Sequence, residues 1–365
     1  MCTALSPAIL GAIPALATLS ALPEQLGHIF YFIVLPVLVM AGVGYLLQRT
    51  LRLDMPTLTR LNFYYVIPSI VYVSLVSARL HLGEAAVVVL FGVLMLLALI
   101  AVSWLAGRLR GVPASQRRVL MMTTIFYNSG NYGLPLQELA FRPSSLHPLD
   151  LSLQARTMQV FLMVVQNVAN FTLGVLLAAG GRKDRHWREN LLHILKLPPL
   201  YALVAALLTV QIREGLGPSA GSVADALRPF WDAVSYVGNA MVAVAILTLG
   251  AQLGNVRRDA NRYPVKLSVF LRLLGGPALG LGLIFALNFI LGKYFGRPLT
   301  PFEAQVMLIS TSTPTAVNCM LLCLEFDQHS DYAAQAVLYS TLLSPLTVTL
   351  VIFFAQGGFL PVLSG

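Results

Sequence analysis

Charge is what this chain lacks. Asp, Glu, Lys and Arg make up 11% of its 365 residues, whereas soluble domains carry about 25%. So few charges cannot cover a water-exposed surface, and a soluble globular protein is excluded. Cysteine is equally scarce. Cys2, Cys319 and Cys323 cannot make a disulfide framework, and Cys319 with Cys323, one helical turn apart, has no further ligand to complete a metal site. His28, His81, His147, His186, His193 and His329 are scattered along the chain. No P-loop, nucleophile elbow or HExxH run is present. The expectation is therefore no enzyme, no metal and no cofactor.

Apolar length is what the chain has. Hydrophobic residues make up 57% of it and the mean hydropathy is +0.76. A bilayer crossing takes about 20 consecutive apolar residues. That rule predicts spans at roughly 26–48, 58–78, 84–106, 118–140, 153–178, 191–211, 229–252, 266–290, 303–324 and 333–355. Residues 1–25 read as an N-terminal extension, uncharged to residue 23, broken by Pro7, Pro14 and Pro23, and without the basic start of a signal peptide.

The basic residues give the orientation. They gather after the odd-numbered spans: Arg49, Arg52 and Arg60; Arg108, Arg110, Arg117 and Arg118; Arg182, Lys183, Arg185, Arg188 and Lys196; Arg257, Arg258, Arg262 and Lys266. The positive-inside rule makes those loops cytoplasmic and puts both termini on the outer side of the cell (inner) membrane. The net charge of +9 is thus spread over short loops, and no nucleic-acid partner is expected. Residues 26–178 start outside. After a cytoplasmic loop at 179–190, residues 191–356 start inside, and 357–365 form a tail. Two halves of five spans with opposite topology are the pattern of an inverted repeat, the usual plan of secondary transporters.

Two spans are interrupted. The fourth contains "NSGNYGLP" (Asn128 to Pro135), and its counterpart, the ninth, contains "STSTPTAVN" (Ser310 to Asn318). Proline removes a backbone donor and clashes with the preceding turn. Both helices are therefore expected to stop and restart with Pro135 and Pro314 at the first helical position, while Gly130 and Gly133 ease the unwinding. Unpaired backbone groups are costly in hydrocarbon, so such a break is tolerated only against protein or a wet cavity. Paired breaks in corresponding spans read as a crossover binding site. Two helix N-termini would favour an anion there, with Asn128, Asn131, Thr313, Thr315 and Asn318 supplying neutral hydrogen bonds. Simple proline kinks are the competing reading.

These motifs resemble the auxin efflux carrier family. Asn128 stands seven residues before the Pro of the Gly-Leu-Pro triplet. Pro314 stands eleven residues before the pair Glu325 and Phe326, followed by His329 and Asp331. "KLPPLYALVAAL" and "STLLSPLTVTL" are similar to the family's sixth and tenth helices. The resemblance implies an all-α integral membrane protein of ten transmembrane helices, arranged as two inverted five-helix repeats. Broken helices 4 and 9 would cross, and a transport domain would move against a scaffold domain in an elevator step. It also implies transport of small organic anions, indole-3-acetate in plant members and malonate or malate in bacterial ones, by a homodimer in the lipid bilayer. Asn128, Pro135 and Pro314 match the family's crossover positions, and Gln166 and Asn167 of "QNVANF" match its pocket-lining pair, with interhelical hydrogen bonding as the other reading of those two amides. Cys319 and Asn318 depart from the plant pattern of proline and an apolar residue, and the central loop is only the short "GGRKDRHWREN". Auxin itself is therefore in doubt as the substrate.

The expected function is a secondary transporter of small organic anions, mono- or dicarboxylates with auxin-like aromatic acids among the candidates, by alternating access around the crossover site. The alternative is a sodium-coupled organic-anion symporter of bile-acid-transporter-like fold. Glu138, Asp232 and Glu325 lie away from the span centres, so exchange through a buried acid pair is not expected. Glu138 reads either as a proton-coupling group or as a hydrated vestibule residue. Arg272, about two turns into the eighth span, is expected to snorkel to the inner headgroups, with attraction of anions as the alternative. Tyr127, Tyr132 and Phe171 are expected as apolar companions of the pocket.

Overall fold

The computed structural model describes residues 23–77, 82–143, 149–180, 198–216, 220–254, 263–357 and 362. The N-terminal extension to residue 22, the central loop beyond residue 180 with the predicted start of the sixth span, Lys196 and most of the tail lie outside the described residues. Among the described residues the chain is helical, with one isolated antiparallel bridge.

Among the described residues, twelve helices carry the architecture. α1 is Pro23–Leu51, α2 covers residues 55–77 and α3 is Leu82–Leu109. The fourth predicted span is two pieces, α4 (Ala114–Ile125) and α5 (Gly133–Ala140). α6 is Ser152–Ala179 and α7 is Pro198–Leu216. After a short turn of helix at Ala220–Ala226 come α8 (Arg228–Gly254) and α9 (Val265–Phe295). The ninth predicted span is again two pieces, α10 (Pro301–Thr311) and α11 (Asn318–Glu325), and α12 is Ser330–Gln356. Six of these, α1, α3, α6, α8, α9 and α12, are long and apolar enough to cross a membrane. The four pieces of the broken spans are too short for that individually, because each break divides the apolar run.

The helices pack in two groups. α1 lies against α8, and α2 against α7 and α8. The α1–α8 crossing is close, because a Cβ on Gly44 or Gly250 would strike the backbone of Leu247 or Ala41. Small residues allow such contact between apolar helices. The other group holds α3 to α6 and α9 to α12. There α3 packs on α4, α6 and α9, α5 packs on α6, and α10 and α11 pack on α12. The groups meet where α2 touches α6, α8 touches α5, and the first part of α1 touches α5 and α12.

Candidate functional site

The two breaks face each other and satisfy one another's backbone. α4 ends at Ile125 with Phe126 extended, at φ −91° and ψ 104°. Asn128 N then donates to Pro314 O at 2.8 Å, and Ala316 N donates to Phe126 O at 2.9 Å. This antiparallel pair, centred on Tyr127 and Thr315, answers how unwound backbone is tolerated inside an apolar protein: each break supplies the other's partners. Pro314, which has no N–H to give, sits in this extended piece as an acceptor.

The prolines do not restart the helices as expected. α5 begins at Gly133, with Gly133 N on Asn128 O at 2.9 Å and Leu134 N on Gly130 O at 3.1 Å. Pro135 is therefore the third residue of the helix, where its missing donor is still unneeded. α11 begins at Asn318, four residues after Pro314, because the bridge holds residues 314–316 extended. Gly133 is helical rather than unwound. It leaves room for Gln159, whose Nε2 donates to Ser129 O at 2.8 Å. Gln137 extends this buried chain of amides, donating to Val306 O of α10 at 2.8 Å.

A cavity of about 70 Å³ opens beside the crossover. Asn128, Ser129, Gly130 and Asn131 of the first break line it, together with Ala316, Val317 and Asn318 of the second. α6 contributes Met163, Gln166, Asn167 and Asn170, and the other helix group contributes Thr59, Asn62, Phe63, Ile67 and Gln252. Phe126 and Tyr127 complete the wall. α11 begins in the lining at Asn318, whereas the first amides of α5 are already bonded, Gly133 N to Asn128 O and Leu134 N to Gly130 O.

Of the expected site residues, Asn128, Gly130, Asn131, Gln166, Asn167 and Asn318 lie in this lining. Gly133, Pro135, Thr313, Pro314 and Thr315 do not. Thr313 and Thr315 are fully buried and their hydroxyls are taken: Thr313 Oγ1 donates to Ser310 O at 2.9 Å and Thr315 Oγ1 to Thr123 O at 2.8 Å. Thr315 N is bound as well, to Ser340 Oγ at 3.1 Å. Tyr132 turns to Ser344, whose Oγ donates to its hydroxyl at 3.1 Å. Phe171 stands behind Phe63, their ring centroids 6.2 Å apart.

Asn62 and Asn170 were not anticipated. Each begins a π-helical turn, Asn62–Val66 in α2 and Asn170–Gly174 in α6, and such bulges often mark functional positions. Asn62 Nδ2 donates to Asn131 Oδ1 at 2.9 Å across the two helix groups. The buried carboxamide of Asn170 has no hydrogen-bond partner among the described residues, and that of Gln166 reaches only the Tyr127 hydroxyl beside it. Unanswered buried amides are rare enough to need a cause, and amides lining a cavity are suited to a polar guest. The signal for Asn170 was present one turn after Gln166 in "QNVANF".

Two charged residues singled out in the sequence have defined partners, and one of them is placed differently from expectation. Arg272 does not snorkel. It is fully buried, its Nη1 donating to Thr124 O at 3.0 Å and its Nη2 to Thr311 O. Its guanidinium lies over the Tyr127 ring, 4.8 Å from the centroid. Glu138 lies outside the lining, paired with Arg142 at 2.6 Å and Arg156 at 3.4 Å.

Comparison with known proteins bears on this geometry. The family described as "membrane transport protein" matches residues 29–194 and again 186–352. The chain is also 24% identical, over 326 residues, to an "uncharacterized transporter" of Methanothermobacter thermautotrophicus, a match covering 87% of this chain and 95% of that one.

Proposed function

We propose, for a chain that belongs to the membrane transport protein family, the auxin efflux carrier family, that the crossover cavity binds a small organic carboxylate and passes it across the membrane. Membership itself makes the chain a multi-pass membrane transporter and not an enzyme. The substrate class and mechanism are our reading.

One observation carries it: the cavity wall is rich in neutral carboxamides, contributed by both breaks and by α2, α6 and α8, with no acidic side chain in the lining. A carboxylate accepts hydrogen bonds from such amides and gains from the N-terminus of α11 at Asn318. A cation would find carboxamide oxygens there, but no carboxylate to balance its charge. The size of the cavity favours small acids, since pockets for drug-sized ligands run to about 300–1,000 Å³. The asymmetric lining, with the crossover group on one side and α2 and α8 on the other, supports alternating access by movement of one group against the other. In this reading ten spans form two inverted repeats, the termini face outward, and the protein works as a homodimer. With no acid in the lining to exchange a proton, the anion leaves down its own electrochemical gradient, which is about 2.3 kcal/mol per charge per 100 mV.

The experiment is a thermal-shift screen of the purified protein against a panel of mono- and dicarboxylates. The proposal expects at least one small carboxylate to raise the melting temperature saturably, and Asn128→Ala to weaken that effect. A panel without any stabilising acid, beside a stabilising amine or sugar, would overturn it.

A further inference from the structure

Arg272 is among the largest fully buried side chains in the molecule. Burying a guanidinium without an ion partner is costly, yet no carboxylate pairs with it among the described residues. What surrounds it instead is helix carbonyl. Thr124 is the penultimate residue of α4 and Thr311 the last of α10, so one side chain closes the C-terminal ends of both helices that lead into the breaks. Each such end carries about −0.5 of a charge. Together they make about −1, which the guanidinium matches.

The local structure is arranged for it. Arg272 lies in a π-helical turn, Leu271–Gly275, followed by Gly276 and Pro277. A Cβ at Gly276 would meet the Arg272 guanidinium and lie 3.0 Å from Thr311 O, so glycine leaves the space the charge occupies. The Tyr127 ring covers the guanidinium. Tyr127 lines the cavity and Arg272 does not, so the positive charge acts on a guest through space rather than by contact.

Carbonyl ends of broken helices are where crossover transporters coordinate a coupling cation. We propose that Arg272 is a resident counter-cation: it holds the position between the two half-helix ends that a sodium ion would otherwise take, so that this protein needs no metal ion to complete its crossover. The inference deepens the carrier reading and rests on it for the word coupling, but it concerns the protein without substrate.

The test is thermal melting of the purified full-length protein, with no organic anion present, in NaCl and in choline chloride at equal ionic strength. Wild type is expected to melt at the same temperature in both. Arg272→Ala is expected to melt several degrees lower in choline chloride and to recover part of that loss in NaCl. Arg272→Lys, which keeps a charge but not the fork that reaches two carbonyls, is expected to fall between them with no preference for sodium. A wild type stabilised selectively by Na⁺, an Arg272→Ala protein as stable as wild type, or one that Na⁺ does not rescue would each overturn the proposal. Should Arg272→Ala not fold, Arg272→Lys carries the test: indifference to sodium upholds it and a sodium preference overturns it. Failure here leaves the carboxylate screen untouched, and the reverse holds too.

Discussion

The two breaks begin from similar sequence and end in different roles. The first, Asn128 to Asn131, presents its side chains and turn to the cavity. The second, Ser310 to Asn318, is buried from Ser310 to Thr315, and its threonine hydroxyls close onto carbonyls of α10 and α4. Only its last part, Ala316 to Asn318, reaches the cavity. The difference lies in which partners are at hand. Thr and Ser hydroxyls find a carbonyl one turn back or across the bridge, whereas the longer carboxamides of Asn128 and Asn131 extend past the backbone. An interrupted helix with polar flanks therefore marks a crossover, but does not say which strand of it faces the guest.

Substitutions can break or sharpen this contrast. The largest effect is expected from Gly276→Ala, which forces a methyl between Arg272 and Thr311 O beneath the buried break. Overpacking of this kind costs about 1–3 kcal/mol, read as a lower melting temperature in detergent. Asn128→Ala should weaken binding of the stabilising carboxylate about tenfold, the scale of one hydrogen bond to a charged group at about 1.5 kcal/mol. Its ligand-free melting should change little, because the backbone bond from Asn128 N to Pro314 O survives. Thr315→Val reverses that pattern. It strands the Thr123 carbonyl and should cost about 1 kcal/mol of stability while titrations show unchanged affinity. The smallest effect is expected from Asn318→Ala at the start of α11, a loss of affinity of a few-fold in the same titration. If Thr315→Val lowered affinity while Asn128→Ala lowered only stability, the assignment of roles to the two breaks would be inverted.

Much of the fold was legible in the sequence because bilayer physics writes it in long apolar runs. The predicted spans at 84–106, 153–178 and 229–252 fall within α3, α6 and α8. The breaks were legible because Pro135 and Pro314 stand among amides and hydroxyls. Their geometry was not. Where a helix restarts depends on the opposite chain, and residues 314–316 are extended because Phe126 and Asn128 offer hydrogen bonds from 190 or so residues away. Asn62 and Asn170 were hidden for another reason. A π-turn shifts the face of a helix by a fraction of a turn, and no periodicity in the sequence announces it. Arg272 misled for want of the same tertiary information. Its position in the eighth span suits snorkelling equally well, and two carbonyl ends, contributed by α4 and α10, decide otherwise.

The central claim is that the cavity between the crossover and α2 carries an organic carboxylate. The most direct measurement is the current evoked by carboxylate concentration jumps on proteoliposomes adsorbed to a solid-supported membrane, with wild type beside Asn128→Ala. Wild type is expected to give a saturable current, present in choline buffer as in sodium buffer, and the variant a right-shifted concentration dependence. Identical curves for the two proteins, or currents evoked by no carboxylate that binds, would contradict it.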